Sequence, residues 1–256
     1  AFRVQDDRRA DERLAVGGRQ RRHGADQHLR TRMLRAVEHI VGEPLLDPEL
    51  ERRIAYVCAA DPGVAIKIYT HGAHLTPARW ERLRDAGLTD LSISLNAVRA
   101  DQHERVTGLR GAFDRICANA EYALANARGA SVRVHAVFNE AFPEADAHEF
   151  VRRWGHWEHG GVGLVAREGN WAGARPTDRP LDPASCCWRA LGGLYILADG
   201  RVSPCCFDPL ATLCFGDLKT QSLDEVYSSA AYVAFRKAHV ENRADAYPIC
   251  AGCTRI

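Results

Sequence analysis

No cysteine stands before Cys58, no lysine occurs among residues 1–35, and no apolar run approaches the roughly 20 residues of a membrane span. No signal-peptide apolar stretch opens the chain either. These absences give no ground for a membrane partner and set the expected location as cytoplasmic. Charge of one sign is also lacking. Lys and Arg number 34 against 33 Asp and Glu, a formal net charge of +1, so nothing electrostatic points to nucleic acid. Neither a nucleophile elbow nor a phosphate-loop glycine pattern is present.

What is present is sulfur, unevenly placed. There are nine cysteines in 256 residues. In a chain with no secretory signal, an odd number favours thiolate ligands over a disulfide framework. Cys187 and Cys205 flank an Asp199-Gly200 turn that reads as a hairpin. Far along the chain come Cys250 and Cys253, a C-x2-C pair. Four thiolates from two distant segments can enclose one metal centre, an iron–sulfur cluster or a zinc ion. Cys186 and Cys206 adjoin two of the four and could replace them. Cys58, Cys117 and Cys214 lie among apolar neighbours and are expected to be inert buried thiols.

Residues 1–35 hold ten arginines and follow no apolar period. They read as a solvated arginine-rich arm, or as a truncated or mistranslated segment. From residue 36 onward, strand-like and helix-like stretches alternate. Residues 36–41, 64–69, 91–95, 132–138 and 162–166 read as strands. Residues 49–60, 113–128 and 144–157 read as helices, with another opened by Thr76 as N-cap and Pro77 at its first position and stopped by Gly87. Such alternation argues for a parallel sheet with crossover helices, barrel-like or doubly wound. Residues 173–185, with three prolines, read as a linker. A hairpin over about 193–204 follows, then a helix over about 222–241 begun by a Ser222/Glu225 capping box.

Several polar groups fall where α/β folds place ligands, at strand ends. Gly42-Glu43-Pro44 ends the first strand, and Glu43 could accept from a cationic amino group, although the tripeptide is also an ordinary turn. Thr70-His71-Gly72 ends the second. Ser92 and Ser94 share one face of the third, with Asn96 expected to point the same way, and Asn139 follows the fourth. Polar groups on a buried strand need partners, either a ligand or a network of their own.

In serial order these pieces resemble the radical S-adenosylmethionine (radical SAM) superfamily, in the branch with a C-terminal SPASM domain. The likeness rests on His39-Ile40-Val41-Gly42-Glu43-Pro44-Leu45-Leu46, Thr70-His71-Gly72, Leu91-Ser92-Ile93-Ser94-Leu95-Asn96 and His103-Glu104-Arg105-Val106-Thr107-Gly108. It continues in Cys187 to Cys205, Gly216-Asp217-Leu218, Ser222 to Tyr227 and Pro248-x-Cys250-x2-Cys253. The resemblance implies a partial (β/α)6 TIM-like barrel over 36–172 and a small α+β SPASM module over 186–256. It implies SAM held by Gly42, Glu43, Ser92, Ser94, Asn96 and Asn139, and an auxiliary 4Fe–4S cluster on Cys187, Cys205, Cys250 and Cys253.

It further implies reductive cleavage of SAM, hydrogen abstraction from a peptide or small-molecule (cofactor-precursor) substrate, and a reductant such as ferredoxin or flavodoxin. The family's second 4Fe–4S cluster uses a Cys-x3-Cys-x2-Cys loop, which this chain does not contain. His71 also replaces the family's usual Asn, and one Gly of Gly-Gly-Glu is absent. The expectation is therefore an N-terminally incomplete enzyme. The alternative is a non-catalytic iron–sulfur or zinc protein that recognises a peptide or protein partner.

Overall fold

The structure, a computed structural model, describes residues 42–138, 143–157, 160–166 and 187–253. The expected strand over 36–41, the linker over 173–185, Asn139 and Cys186 lie outside the described residues. The first described element is a short 3-10 turn, Pro44–Leu46, followed by α1 (Leu50–Ala60). Strand β1 (Lys67–Thr70) leads to α2 (Pro77–Asp85), β2 (Asp90–Ser94), α3 (Ala100–Thr107), α4 (Phe113–Ala125), β3 (Ser131–Phe138), α5 (Glu144–Trp154) and β4 (Gly160–Ala166).

The four strands form one parallel sheet in the order β1-β2-β3-β4. Each strand pairs with the next in sequence, and the order never reverses. A doubly wound sheet needs a reversal at its switch point, so the arrangement is that of a partial barrel.

Local chemistry explains the boundaries. Thr76 accepts from the Arg79 N–H and caps α2, with Pro77 in its first turn. Gly72, at the turn after β1, has φ +80°, and a Cβ there would stand 3.0 Å from the Ile93 side chain. Both the conformation and the close approach demand glycine. Strand β1 starts three residues later than expected; just before it, the Ile66 N–H donates to the Thr89 hydroxyl and not to a neighbouring main chain. Helices α4 and α5 end three residues earlier than their apolar pattern suggested. Helix α3, unforeseen, is built from the polar stretch ADQHERVT. Its anchor is Gln102, which accepts from the Val98 N–H and donates to Asp146, a carboxylate held also by Arg99.

Alternation along the strands splits the sheet into two faces. Ile68, Leu91, Ile93, Val132, Val134 and Ala136 are buried against the helices with Trp80, Leu83, Ile116, Phe150 and Trp154. Lys67, Tyr69, Ser92, Ser94, Arg133 and His135 occupy the other face.

After the described gap comes α6 (Trp188–Gly192), then a three-stranded antiparallel sheet of β5 (Tyr195–Ile196), β6 (Arg201–Ser203) and β7 (Gly216–Asp217). The expected hairpin is β5-β6, with Gly200 in its turn at φ +88°. The expected single helix over 222–241 is instead two, α7 (Leu223–Tyr227) and α8 (Ala230–Val240). The break has a local cause: the Ser229 side chain accepts from the Tyr232 N–H and caps a new helix start. Ser222 and Glu225 form the capping box. Helix α9 (Pro248–Ala251) carries Cys250, with Cys253 just past its end.

Trp80 is fully buried at the centre of the α2–α4 packing, and its indole N–H donates to the Asn126 carbonyl. Trp80→Ala is expected to cost about 3–5 kcal/mol of stability, read as a lower denaturation midpoint in urea. An unchanged midpoint would mean that this core does not carry the barrel half.

Candidate functional site

The first cluster lies at the carboxyl end of the sheet. Glu43 is buried, and its carboxylate is committed to protein donors. Oε1 accepts from the Leu45 N–H at 3.0 Å and from the Thr70 hydroxyl at 2.6 Å, while Oε2 accepts from the His71 N–H at 2.9 Å. His71 Nε2 stands 3.2 Å from Oε2. Since His71 Nδ1 accepts from the Ala73 N–H, the neutral ring carries its proton on Nε2 and directs it at Glu43. The four acceptor positions of the carboxylate are thus spoken for. Glu43 braces the Gly42-Glu43-Pro44 turn against the end of β1, and a cationic ligand at this corner has the main chain to use, not the Glu43 side chain. Gly42 takes φ +102° with open space where a Cβ would point.

Ser92 and Ser94, on one face of β2, meet the same partner from β3. Ser92 Oγ is 3.0 Å from His135 Nδ1, and Ser94 Oγ is 3.0 Å from His135 Nε2. Burial, aided by the Lys67 charge, pushes the His135 pKa down to about 4, so the ring is neutral at neutral pH. A neutral imidazole has one donor and one acceptor nitrogen. One serine therefore donates to the ring, while the other accepts from it and keeps its own proton for a ligand.

Asn96 sits just past β2 at φ +55°, a left-handed conformation. It does not lie on the serine face as the sequence suggested. Its Oδ1 accepts from the Val137 N–H at 2.9 Å and ties β2 to β3. His135 was missed by sequence reasoning. Its signal was available: a polar residue at the inward position of a β-branched strand, opposite two serines.

The second cluster is one cavity in the C-terminal half, with about 340 Å³ of atom-free space, part of it open to solvent. Cys187, Cys205, Cys250 and Cys253 all line it, with Arg189, Phe235, His239 and Ile249 among the remaining walls. Cys187 comes from the start of α6, Cys205 from the turn after β6, and Cys250 and Cys253 from α9 and its end. Asp208 locks the turn behind Cys205, accepting from the Thr212 N–H and hydroxyl and from the Leu213 N–H, each at 2.8 Å. Tyr232 holds α8 to the other wall by donating to the Gly193 carbonyl at 2.7 Å.

Cys205, not Cys206, faces the cavity. The two thiols hydrogen-bond; that bond and burial drive Cys205 up, and Cys206 is lowered by the same bond and by Arg189 and Tyr195 beside it. Metal binding would have to release the Cys205 proton. Cys117 is buried, its thiol pushed up to about 11, and Cys58 packs against the core. Cys214 departs from the expectation: it is exposed, its thiol donating to the Gly216 carbonyl.

Four sulfurs on one mostly apolar cavity are a donor set that suits iron–sulfur ligation. A single zinc ion bound by four thiolates needs its sulfurs roughly 3.8 Å apart, from tetrahedral geometry and bonds of about 2.3 Å. Among the described residues, no three His, Cys, Asp or Glu side chains are arranged to hold one metal ion.

Comparison with known proteins agrees with both halves. Residues 24–146 match the family model of the radical SAM superfamily, and residues 186–254 match that of SPASM, an iron–sulfur cluster-binding domain. The chain is 38% identical over 80 residues to AdoMet-dependent heme synthase of Methanosarcina barkeri (strain Fusaro / DSM 804), covering 31% of this chain and 22% of that protein. It is 26% identical over 254 residues to PqqA peptide cyclase of Ruegeria pomeroyi (strain ATCC 700808 / DSM 15171 / DSS-3), covering 84% and 65% respectively. The chain thus spans less than two thirds of the length of either curated relative. Among solved structures, BtrN in complex with AdoMet and 2-DOIA superposes with TM-score 0.56 at 17% identity, covering 93% of this chain and 82% of that one. Streptococcus suis SuiB bound to S-adenosylmethionine gives 0.57 at 14%, covering 86% and 62%. These likenesses establish the fold.

His135 also generates a stability prediction. Its folded pKa of about 4 lies below the ordinary value of 6.5, so the unfolded chain binds its proton first as pH falls. Stability contributed by the neutral ring is full above about pH 6.5 and drains away between there and about pH 4, by about 3 kcal/mol in total. Urea unfolding across that range should show this loss in the parent and lose that component in His135→Gln. Parallel pH profiles for the two would refute the assignment.

Proposed function

Because this chain belongs to the radical SAM superfamily, in the branch that carries a SPASM domain, we propose that it serves SAM-dependent radical chemistry on a peptide or a cofactor precursor. Its two working parts are a SAM-binding barrel, taken as residues 36–172, and an auxiliary-cluster module, taken as residues 186–256. The observation that carries the reading is the convergence of Cys187, Cys205, Cys250 and Cys253 on one cavity, in a chain whose parallel sheet gathers Glu43, His71, Ser94 and Asn96 at its carboxyl edge.

Each residue has a task. The Gly42-Glu43 main chain, fixed by the Glu43 carboxylate, meets the amino group of SAM. Ser94, its hydroxyl oriented by His135, and Asn96 lie toward the ribose, with Ser92 completing the pair and Asn139 joining from the end of β3. The four cysteines hold a 4Fe–4S cluster, which supplies a redox centre to the module when bound. A small reductant such as ferredoxin or flavodoxin is the proposed electron source. A reducing compartment, the cytoplasm, suits cysteines that are free thiols throughout the described residues. No helix among the described residues is long and apolar enough to cross a membrane.

The family's SAM-cleaving cluster does not fit this chain. Nowhere in its sequence do three cysteines stand as Cys-x3-Cys-x2-Cys, so no reductive step is derived for these residues. That observation favours a second reading, a SAM- and cluster-binding protein that recognises a peptide or protein partner without turning it over.

Anaerobic reconstitution tests the proposal. About four irons and four sulfides per chain are expected, with SAM binding by calorimetry. Cys250→Ser and Cys253→Ser should lose the iron and destabilise residues 187–253 while SAM binding survives. Full iron content in both variants would refute the ligand set, and absence of SAM binding in the parent would refute the barrel assignment. Without a Cys-x3-Cys-x2-Cys loop, this chain should release no 5′-deoxyadenosine under dithionite, and release would refute the reading that the SAM-cleaving cluster has no ligands here.

A further inference from the structure

The face of the sheet that no described helix covers has a charge pattern that SAM binding at the strand ends leaves unexplained. Strand register sets its rows. Nearest the carboxyl edge, Ser94 pairs with His135 and then Gly163. One row down, Tyr69, Ser92, Arg133 and Gly161 are aligned. Lower still, Lys67 stands beside Asp90.

The residues of this face touch one another. The Lys67 ammonium lies 4.6 Å from the centre of the Tyr69 ring, and the Tyr69 ring meets the edge of His135 at 5.9 Å. Arg133, between buried Val132 and Val134, is exposed on the same side. Neither Lys67 nor Arg133 forms an ion pair or a hydrogen bond among the described residues. Among the described residues the one carboxylate of this face, Asp90, accepts from the Thr89 hydroxyl at 2.8 Å and forms no ion pair with either cation. His135 is neutral and adds no charge. Across from Arg133 and His135, β4 presents Gly161 and Gly163, so no side chain from that strand fills the space in those two rows.

We propose that this face is the substrate-binding surface and that it takes a carboxylate-bearing substrate, whose anionic group lies across Lys67 and Arg133 with apolar or aromatic substance against Tyr69. The inference rests on the SAM-binding reading above and names the substrate class it leaves open. The geometry is suited to it. Lys67 and Arg133 are one row and two strands apart, a span that a dicarboxylate or two neighbouring acidic side chains can bridge. The row of Ser94 and His135 lies between them and the carboxyl edge, where SAM is proposed to sit.

Carboxylates reach such a surface either on a peptide or as a free organic acid, and two probes distinguish them. One is a pair of matched hexapeptides bearing a neutral fluorophore, identical except for two glutamates against two glutamines. The other is citrate, used as a competitor. With SAM-loaded protein at low salt, the glutamate peptide should bind about tenfold more tightly than the glutamine one. The preference should shrink as ionic strength rises and vanish in Lys67→Met/Arg133→Gln, while SAM affinity stays unchanged. Competition by citrate would assign a free acid; its failure beside tight peptide binding would assign a peptide. Equal binding of the two peptides, no binding of the glutamate peptide, or a preference that survives the double substitution would overturn the proposal. Loss of SAM binding in the parent protein would instead overturn the barrel reading.

An independent observation concerns the cysteine cavity. His239 is buried in its wall, packed edge-on against Phe235 at 4.6 Å, with Nε2 3.6 Å from Cys250 Sγ. We infer that His239 is a positioning residue that donates an N–H···S bond to the Cys250 thiolate and so raises the reduction potential of a cluster bound there, since a donor to sulfur favours the more negative state. A redox titration followed by electron paramagnetic resonance tests it. His239→Leu should keep its iron and shift to lower potential, and His239→Gln, which retains an N–H donor, should stay near the parent. An unshifted potential in His239→Leu would refute the inference. So would iron loss in that variant, which would make His239 a ligand or a structural prop instead.

Discussion

The two-residue period of the strands is the constraint on which the barrel half depends. It sends Ile68, Leu91, Ile93, Val132 and Val134 into the helices and leaves the intervening residues on a face that no described helix covers. Once one face is spent on the hydrophobic core, the chain can place polar groups on the other only if they satisfy one another or a ligand. Ser92, Ser94 and His135 do this as a three-residue network across two strands, with one serine proton left for a ligand. A one-residue slip of β3 against β2 would carry His135 into the helix-packed core and Val134 into the polar row. The network and the apolar core therefore fix the same register from opposite sides of the sheet.

The module at the other end of the chain is held together differently. Its buried apolar cluster is small, made of Ala190, Tyr232, Phe235, Ala244 and Cys250. Aromatic contacts around it, such as Phe215 stacked on Tyr232 at 4.6 Å, add packing. Still, a unit of this size seldom stands on its hydrophobic core alone. Three separate segments deliver sulfur to one cavity: the start of α6, the turn after β6, and α9 with its end. An inorganic core there would cross-link all three, so ligation and folding would be one event. The apolar cluster and the cavity share Ala190, Phe235 and Cys250, so the core and the metal site are two faces of the same packing.

Much of this was legible in the residues, and what was not has physical reasons. Thr76-Pro77 and Ser222-x2-Glu225 announced helix starts because capping is local chemistry, settled within four residues. The cysteine spacing announced the cavity because few other folds need four thiols in two clusters. Helix α3 escaped notice because its stability comes from a long-range Gln102–Asp146 contact, not from an apolar stripe. The break between α7 and α8 was hidden because a serine is compatible with either a helix interior or a cap, and here the Ser229 hydroxyl takes the Tyr232 N–H and starts a new helix. Asn96 was misplaced because a positive φ at the end of β2 turns its side chain off the strand face, and nothing in the strand period foretells it. Cys214 looked buried from its neighbours, yet Leu213 and Phe215 pack inward while it faces out, the alternation of an extended segment.

Glu43 makes the same point about function. As a lone acidic residue at a strand end it invited reading as a ligand for a cation. The structure spends its carboxylate on Leu45, Thr70 and His71 instead. Its charge is thereby converted into geometry: the Gly42-Glu43-Pro44 turn is pinned to the end of β1 through Thr70 and His71. A site built this way depends on the hydrogen bonds of the Glu43 carboxyl, although that carboxyl would touch no substrate. His71 enters as part of the same brace. Its Nδ1 is occupied by the Ala73 N–H, so the ring can present only its Nε2 proton, and that proton is aimed at Glu43. The imidazole N–H of His71 is thus one of the donors that hold this corner in shape.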